Sequence, residues 1–262
     1  MNRTDWTGFH PAYRLGAKVR NTFLQIPMLW RIAYRSPADY ALGLRPEARP
    51  APLRILRHLL LRVFWFWPRV TDACVWVKEG SHRGTHAPSD FIEMDPSGQT
   101  LVDEVAVQAE GHQDWRMLDL GCNCGRFLNA LSTRGFTALS GVDINPVALE
   151  HMGKVFPGLP QEVNLSCRTF QQYLSECPDL AFDLVFSHGA TVELVHPSFP
   201  LIREICRATR ERVVLVFNEN QQTYPRFWAY EFLQSGFLLT KLVRMPPREA
   251  THTLMVFRRL AP

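Results

Sequence analysis

The sequence predicts an α/β fold: a doubly wound, seven-stranded, mostly parallel sheet with an antiparallel C-terminal hairpin, preceded by a basic helical N-terminal extension. Three observations lead there. Apolar strand-like runs alternate with helical spacings from about residue 100 to 236, which is the pattern of strands joined by crossover helices. The run Met117-Leu-Asp-Leu120 ends in the turn Gly121-Cys-Asn-Cys-Gly125 and opens a helix, an arrangement that points backbone N–H groups at a ligand. The last two apolar runs are joined by too short a connection for a crossover, so they should pair as a hairpin.

The front of the chain differs from the rest. Residues 1–70 hold 12 Lys/Arg against three acids, a charge of +9, while the remainder carries 17 basic against 22 acidic groups, −5. Residues 1–98 therefore read as a basic, aromatic-rich extension and 99–262 as the main domain. Within the extension, Leu53 to Trp67 places Arg54, Arg57, His58 and Arg62 on one helical face before Pro68 stops it. Two placements fit: a lid whose apolar side packs on the main domain, or a helix lying in a membrane interface with Trp65 and Trp67 at headgroup depth. Arg83, in the loop Gly80 to Pro88, is a candidate contact for an anionic carboxylate or phosphate. His82 and His86 lie four apart, but glycine and proline around them argue against a helix, so no metal pair is expected there.

Composition narrows the classes further. A hydrophobic content of 46% indicates a globular protein with a substantial core. No stretch reaches the about 18 uncharged apolar residues of a membrane span. The six cysteines have no paired metal-ligand spacing and read as reduced thiols of a cytoplasmic protein.

In order, the main domain reads as a helix over Thr100–Glu110 with Leu101, Val105 and Val107 as its apolar residues, a strand at Arg116–Leu120, and a helix to about Thr133. A second strand, Thr137–Ile144, ends in Asp143, and the helix Pro146–Val155 follows with proline in its first turn. Asn164–Arg168 is the third strand and Phe170–Glu176 a short helix. Phe182–Ser187, the helix Leu201–Thr209 and the strand Arg212–Phe217 come next. The helix Arg226–Ser235 and the strands Leu238–Val243 and Thr253–Arg258 complete the pattern.

The turn discriminates among ligands. A dinucleotide-binding turn needs G-x-G-x-x-G, and here those positions are Gly121, Asn123 and Arg126. No Gly-Lys-Ser/Thr follows, which excludes a P-loop. What remains is a nucleoside ligand without phosphates.

The run Leu118-Asp-Leu-Gly-Cys-Asn-Cys-Gly-Arg126 resembles motif I of the class I S-adenosylmethionine-dependent methyltransferases. Asp119, Gly121 and Gly125 match its acid and glycines, and Asn123 replaces the middle glycine, a variant the family tolerates. Gly141-Val-Asp-Ile144 resembles the second motif, whose acid binds the ribose hydroxyls. Arg168-Thr-Phe170 stands where the family contacts the adenine, without the usual acid, and Phe182-Asp-Leu-Val-Phe-Ser-His188 resembles motif IV. The resemblance covers roughly residues 99–260 and implies S-adenosylmethionine as cofactor. It implies contacts from Asp119, Gly121, Cys122, Asn123, Gly125, Asp143, Ile144, Thr169, Phe170, Ser187 and His188. From the residues alone, Asp143 could instead cap the helix at Pro146, and Asp119 could cap the turn.

On the acceptor side, His188 and His196 are the candidate catalytic residues, each also suited to hydrogen-bonding loop backbone. Asn218, Glu219 and Tyr224 lie in the amide-rich segment over the carboxyl edge, where ligands bind. These residues suit a small polar metabolite, or a glycan or lipid-linked acceptor, modified at oxygen or nitrogen. Amino-methylating nucleic-acid enzymes of this fold carry Asn/Asp-Pro-Pro-Tyr/Phe after strand four, and here the residues are Ser187-His-Gly-Ala190. RNA or protein as acceptor, or a non-catalytic donor-binding subunit that uses the basic front to dock a partner or membrane, are the rival readings; a peripheral membrane contact would run through residues 53–67.

Overall fold

A computed structural model describes residues 87–189, 195, 199–218, 228–245 and 252–261. The expectations for the helix at 53–67, Arg83, His196, Glu219 and Tyr224, and for the side chain of Asn218, lie outside the described residues.

Seven strands form one sheet: β1 Met117–Leu120, β2 Leu139–Asp143, β3 Asn164–Cys167, β4 Phe182–His188, β5 Thr209–Asn218, β6 Phe237–Arg244 and β7 His252–Arg259. Their order is β3-β2-β1-β4-β5-β7-β6, with the first five parallel and β7 antiparallel to both β5 and β6. The expected hairpin is present, and its second strand is the one inserted beside β5. The chain leaves β1 first toward β2 and later returns on its other side at β4, so strand order reverses beside β1. Ligands of open parallel sheets bind outside the carboxyl ends at such a reversal.

The described helices are α1 Pro96–Gln108, α2 Arg126–Ser132, α3 Pro146–Val155, α4 Leu159–Glu162, α5 Phe170–Glu176, α6 Leu201–Ala208 and α7 Trp228–Gln234. A 3-10 turn at Pro88–Phe91 and α4 are additions to the expected pattern. None of the described helices is long and apolar enough to cross a membrane.

Helix α1 corrects the sequence reading. It starts at Pro96 rather than Thr100, because Asp95 caps it by accepting from the Gly98 amide at 2.7 Å, with proline at the first helical position. Of its apolar residues, Val107 is 59% exposed. Leu101, Val102, Val105 and Ala109 form the buried face instead.

Strand parity sorts the core into two layers. Leu118, Leu120, Val185, Val213, Leu215, Phe217, Met255 and Phe257 pack toward α6 and α7, with Ile205, Trp228 and Phe232. Met117, Leu184, Phe186, Val214, Val216, Leu254 and Val256 pack toward α1 and α2, with Leu101, Val105, Phe127 and Leu128. The central strands are buried on both faces, which is why Val213–Phe217 is a continuous apolar run. The same parity puts Asp119, His188 and His252 on the α1–α2 side and Ser187 on the other.

Candidate functional site

The turn after β1 is built by backbone. Gly121 and Gly125 adopt φ of 87° and 80°, and Asn123, at φ 46°, is one of two described non-glycine residues with positive φ. Asparagine is among the few side chains that tolerate the left-handed region, which accounts for its standing where the motif has glycine. Its Oδ1 accepts from the Cys124 amide at 2.7 Å, so that oxygen is already engaged within the turn. Gly125 precedes α2 directly at a φ that disfavours side chains, and a Cβ there would lie 2.7 Å from Cε of Met152, so the methionine would have to shift. Gly141 is equally confined: a Cβ would meet Cys122 Sγ and Leu128 Cδ1, each at 2.8 Å. The turn can therefore sit close over β2.

Asp143 ends β2 and faces this turn. Its Oδ2 accepts from the Asn123 amide at 2.9 Å and its Oδ1 from the Asn145 amide at 2.8 Å. The cap of α3 is Asn145, which accepts from the Val147 amide at 3.0 Å, so Asp143 is not that cap. Burial raises the Asp143 carboxyl, and the backbone donors act against that rise. Each oxygen keeps a lone pair for a further donor.

Asp119 is the contrasting acid. It is fully buried, and neither of its oxygens has a hydrogen-bond partner, so it does not cap the turn. Burial holds its carboxyl well above the usual range, the Asp143 charge adds to the rise, and Arg126 opposes it. An orphaned buried carboxylate is costly unless a donor or cation arrives.

On the same sheet face, His188 leaves β4 toward α1. Its Nε2 lies 2.8 Å from Ser97 Oγ, and its ring lies 5.5 Å from that of Phe127 and 5.7 Å from that of His252. Burial pushes the His188 imidazole down to about 4, against the pull of Asp95 and with Arg126 and His252 adding to the push. Ser97 Oγ donates to Asp95 Oδ1 at 2.6 Å, and Asp95 Oδ2 meets Arg126 at 3.0 Å. Burial would raise Asp95, but the bonds from Ser97 and Gly98 and the Arg126 charge outweigh it and hold the carboxyl at about 2. Arg126 is buried and also donates to the Glu93 carbonyl at 2.6 Å.

Known proteins resolve what such an edge belongs to. A family profile described as a methyltransferase domain matches residues 117–212, which span β1 to the start of β5 and include the turn, Asp143 and His188. The chain carries a methyltransferase domain over these residues. Such a domain fits S-adenosylmethionine as its cofactor. Among solved structures it is similar to magnesium protoporphyrin IX methyltransferase from Synechocystis with bound S-adenosylmethionine, at 14% identity and TM-score 0.54, covering 76% of this chain and 96% of that one. It is also similar to an S-adenosylmethionine-dependent methyltransferase from Mesorhizobium loti, at 14% identity and TM-score 0.52, covering 62% and 98%. A third similar structure is the cyclase SpnF, at 16% identity and TM-score 0.52, covering 63% and 82%. At these identities the likeness is one of fold, and a cyclase among the three keeps fold apart from reaction. No curated protein matches the sequence.

In the methyltransferase, Asp119, Gly121, Cys122, Asn123, Gly125, Asp143 and Ile144 gather where β1 and β2 end. Thr169 and Phe170 stand at the start of α5 after β3, where the Thr169 hydroxyl accepts from the Gln172 amide at 3.1 Å as a helix cap. Ser187 turns away from His188 and donates to the Leu120 carbonyl at 2.6 Å, fastening β4 to β1. Burial raises the Cys122 and Cys124 thiols, which keeps both neutral and poor nucleophiles. Among the described residues no cluster of His, Cys, Asp or Glu is arranged to hold a metal ion. The residues that sequence reasoning missed are Asp95, Ser97, Arg126 and His252. Asp95-Pro96-Ser97 carries a legible helix-start signature, and strand parity places His252 on the His188 face.

Proposed function

We propose that the methyltransferase lays its donor across the carboxyl ends of β1 and β2 and passes the methyl group to a hydroxyl or amine of a small polar metabolite or a sugar- or lipid-linked acceptor. In this reading Asp143 receives the ribose hydroxyls, Asp119 lies beside the ammonium of the methionyl part, and Thr169 and Phe170 border the adenine. Bound there, S-adenosylmethionine supplies an electrophilic methyl group on a sulfonium. The chain's own task is to align the acceptor, exclude water and take up a proton.

The observation that carries the reading is Asp119. Its two buried oxygens lack partners, and a cation brought to them would remove an electrostatic penalty the protein otherwise bears. Support for the acceptor class comes from the amide-rich segment Asn218 to Tyr224 after β5 and from the residues following β4, which differ from those of amino-methylating nucleic-acid enzymes. The basic, apolar segment 53–67 suits an acceptor held at a membrane surface.

Calorimetry with S-adenosylhomocysteine tests the donor site: binding is expected, and no heat of binding by well-folded protein would overturn it. A labelled methyl transfer screen over lipid, glycan, RNA, protein and metabolite fractions of cell extract then tests the acceptor class. Label in the RNA or protein fraction alone would overturn that part. Flotation of the full chain on anionic liposomes tests the surface role of residues 53–67, with no flotation against it.

A further inference from the structure

The contacts around His188 determine where its protons sit. Ser97 has a single hydroxyl hydrogen. Its 2.6 Å partner, Asp95 Oδ1, belongs to a carboxylate that only accepts, so the hydroxyl donates there. The 2.8 Å contact between Ser97 Oγ and His188 Nε2 must then run the other way, with Nε2–H donating into a serine lone pair. A neutral imidazole with hydrogen on Nε2 has a bare lone pair on Nδ1.

The rest of the cluster fixes this arrangement. Asp95 is pinned by the α1 cap at Gly98 and by Arg126, and Arg126 is pinned by the Glu93 carbonyl. Phe127 and His252 flank the ring. Among the described residues, the charged or titratable groups that act on His188 are Asp95 from the start of α1, Arg126 from α2 and His252 from β7. His188 ends β4 at the strand-order reversal, beside the expected donor.

We propose that Asp95 and Ser97 are positioning residues that hold His188 as its Nε2–H tautomer, so that Nδ1 is the atom that takes the proton of the methyl acceptor. The inference rests on the donor site proposed above. As the acceptor's oxygen or nitrogen bonds to the methyl carbon, the carbon–sulfur bond breaks and the donor leaves as a neutral thioether. The displaced proton moves to Nδ1, and the resulting imidazolium passes it to water. Throughout, Nε2–H stays on Ser97, and the Asp95 charge behind Ser97 favours the transient cation.

Nitrogen-15 NMR of the histidine-labelled full chain at pH 7 reads the tautomer without any acceptor, the His188 signals being assigned by their loss in His188→Gln. The expected wild-type pattern is a protonated Nε2 and a bare Nδ1. In Ser97→Ala the two shifts should move toward an averaged mixture, and Ser97→Thr should restore them. A wild-type Nδ1–H pattern, or a Ser97→Ala spectrum identical to wild type, would overturn the inference. Label transfer into the extract fractions should fall roughly 100-fold in His188→Gln and about tenfold in Ser97→Ala. Undiminished transfer by His188→Gln would remove the base role. Binding of S-adenosylhomocysteine, followed in parallel, keeps the two readings apart: wild-type protein that fails to bind it defeats the donor site while leaving the tautomer result intact.

Discussion

The turn between β1 and α2 and the junction of α1, β4 and β7 are built in two different ways. The first is made of main chain: positive-φ residues at 121, 123 and 125, amides aimed at Asp143, and glycines that permit close approach. The second is made of side chains from distant parts of the sequence, with Ser97 and His188 separated by 91 positions. A backbone cradle depends on a local run of residues. A side-chain relay depends on the sheet register that brings its members together. The first should fail through loss of ligand, the second through loss of stability and of proton control.

The sharpest separation comes from Asp143→Ala, which deletes both carboxylate oxygens at the cradle. Two lost charge-assisted hydrogen bonds correspond to a loss of about 100-fold in S-adenosylhomocysteine affinity by calorimetry. An unchanged affinity would erase the distinction between the regions. Asp95→Ala should act the other way round. It removes the α1 cap and leaves buried Arg126 without its carboxylate, and a loss of about 2–3 kcal/mol is expected in urea unfolding, with affinity changing far less than in Asp143→Ala.

The pH dependence sharpens the contrast. His188 is depressed from 6.5 to about 4, so the unfolded chain takes up a proton that the folded one refuses. Stability from this group is complete above pH 6.5 and is lost as pH falls toward about 4. His188→Gln should therefore narrow the difference in unfolding free energy between pH 7 and pH 5 by about 1–2 kcal/mol. Asp119 has the opposite sign. Its raised carboxyl means the folded chain holds the proton more tightly than the unfolded one, so stability declines as pH rises above the ordinary carboxylate value of 3.8. Asp119→Asn is expected to raise the stability of ligand-free protein at pH 8 by about 1 kcal/mol while weakening S-adenosylhomocysteine binding. Both quantities falling together would show Asp119 to be a structural acid and nothing more.

Legibility followed the same division. The alternation of strands and helices, the hairpin, and the helices Pro146–Val155 and Phe170–Glu176 could all be read from periodicity, because each is a local property. The turn was readable for the same reason, and Asn123 became intelligible once its φ was known. The start of α1 was missed because Gly98 and the proline before it look like a loop, although Asp95 is a capping residue. Ser187 and His188 are neighbours in sequence, but adjacent strand residues face opposite ways, and the Ser187 hydroxyl serves the Leu120 carbonyl. The relay was invisible because no sequence spacing encodes the pairing of β7 beside β5 or of α1 over β4.

Arg126 belongs to both regions. It follows Gly125 directly in the chain, yet its guanidinium lies against Glu93 and Asp95 at the base of the relay. In engineering terms the donor turn is therefore not a portable cassette. A turn transplanted from another protein of this fold without an arginine at that position would leave Asp95 without its counter-charge, and on the proposed roles the proton chemistry at His188 would change along with the donor site.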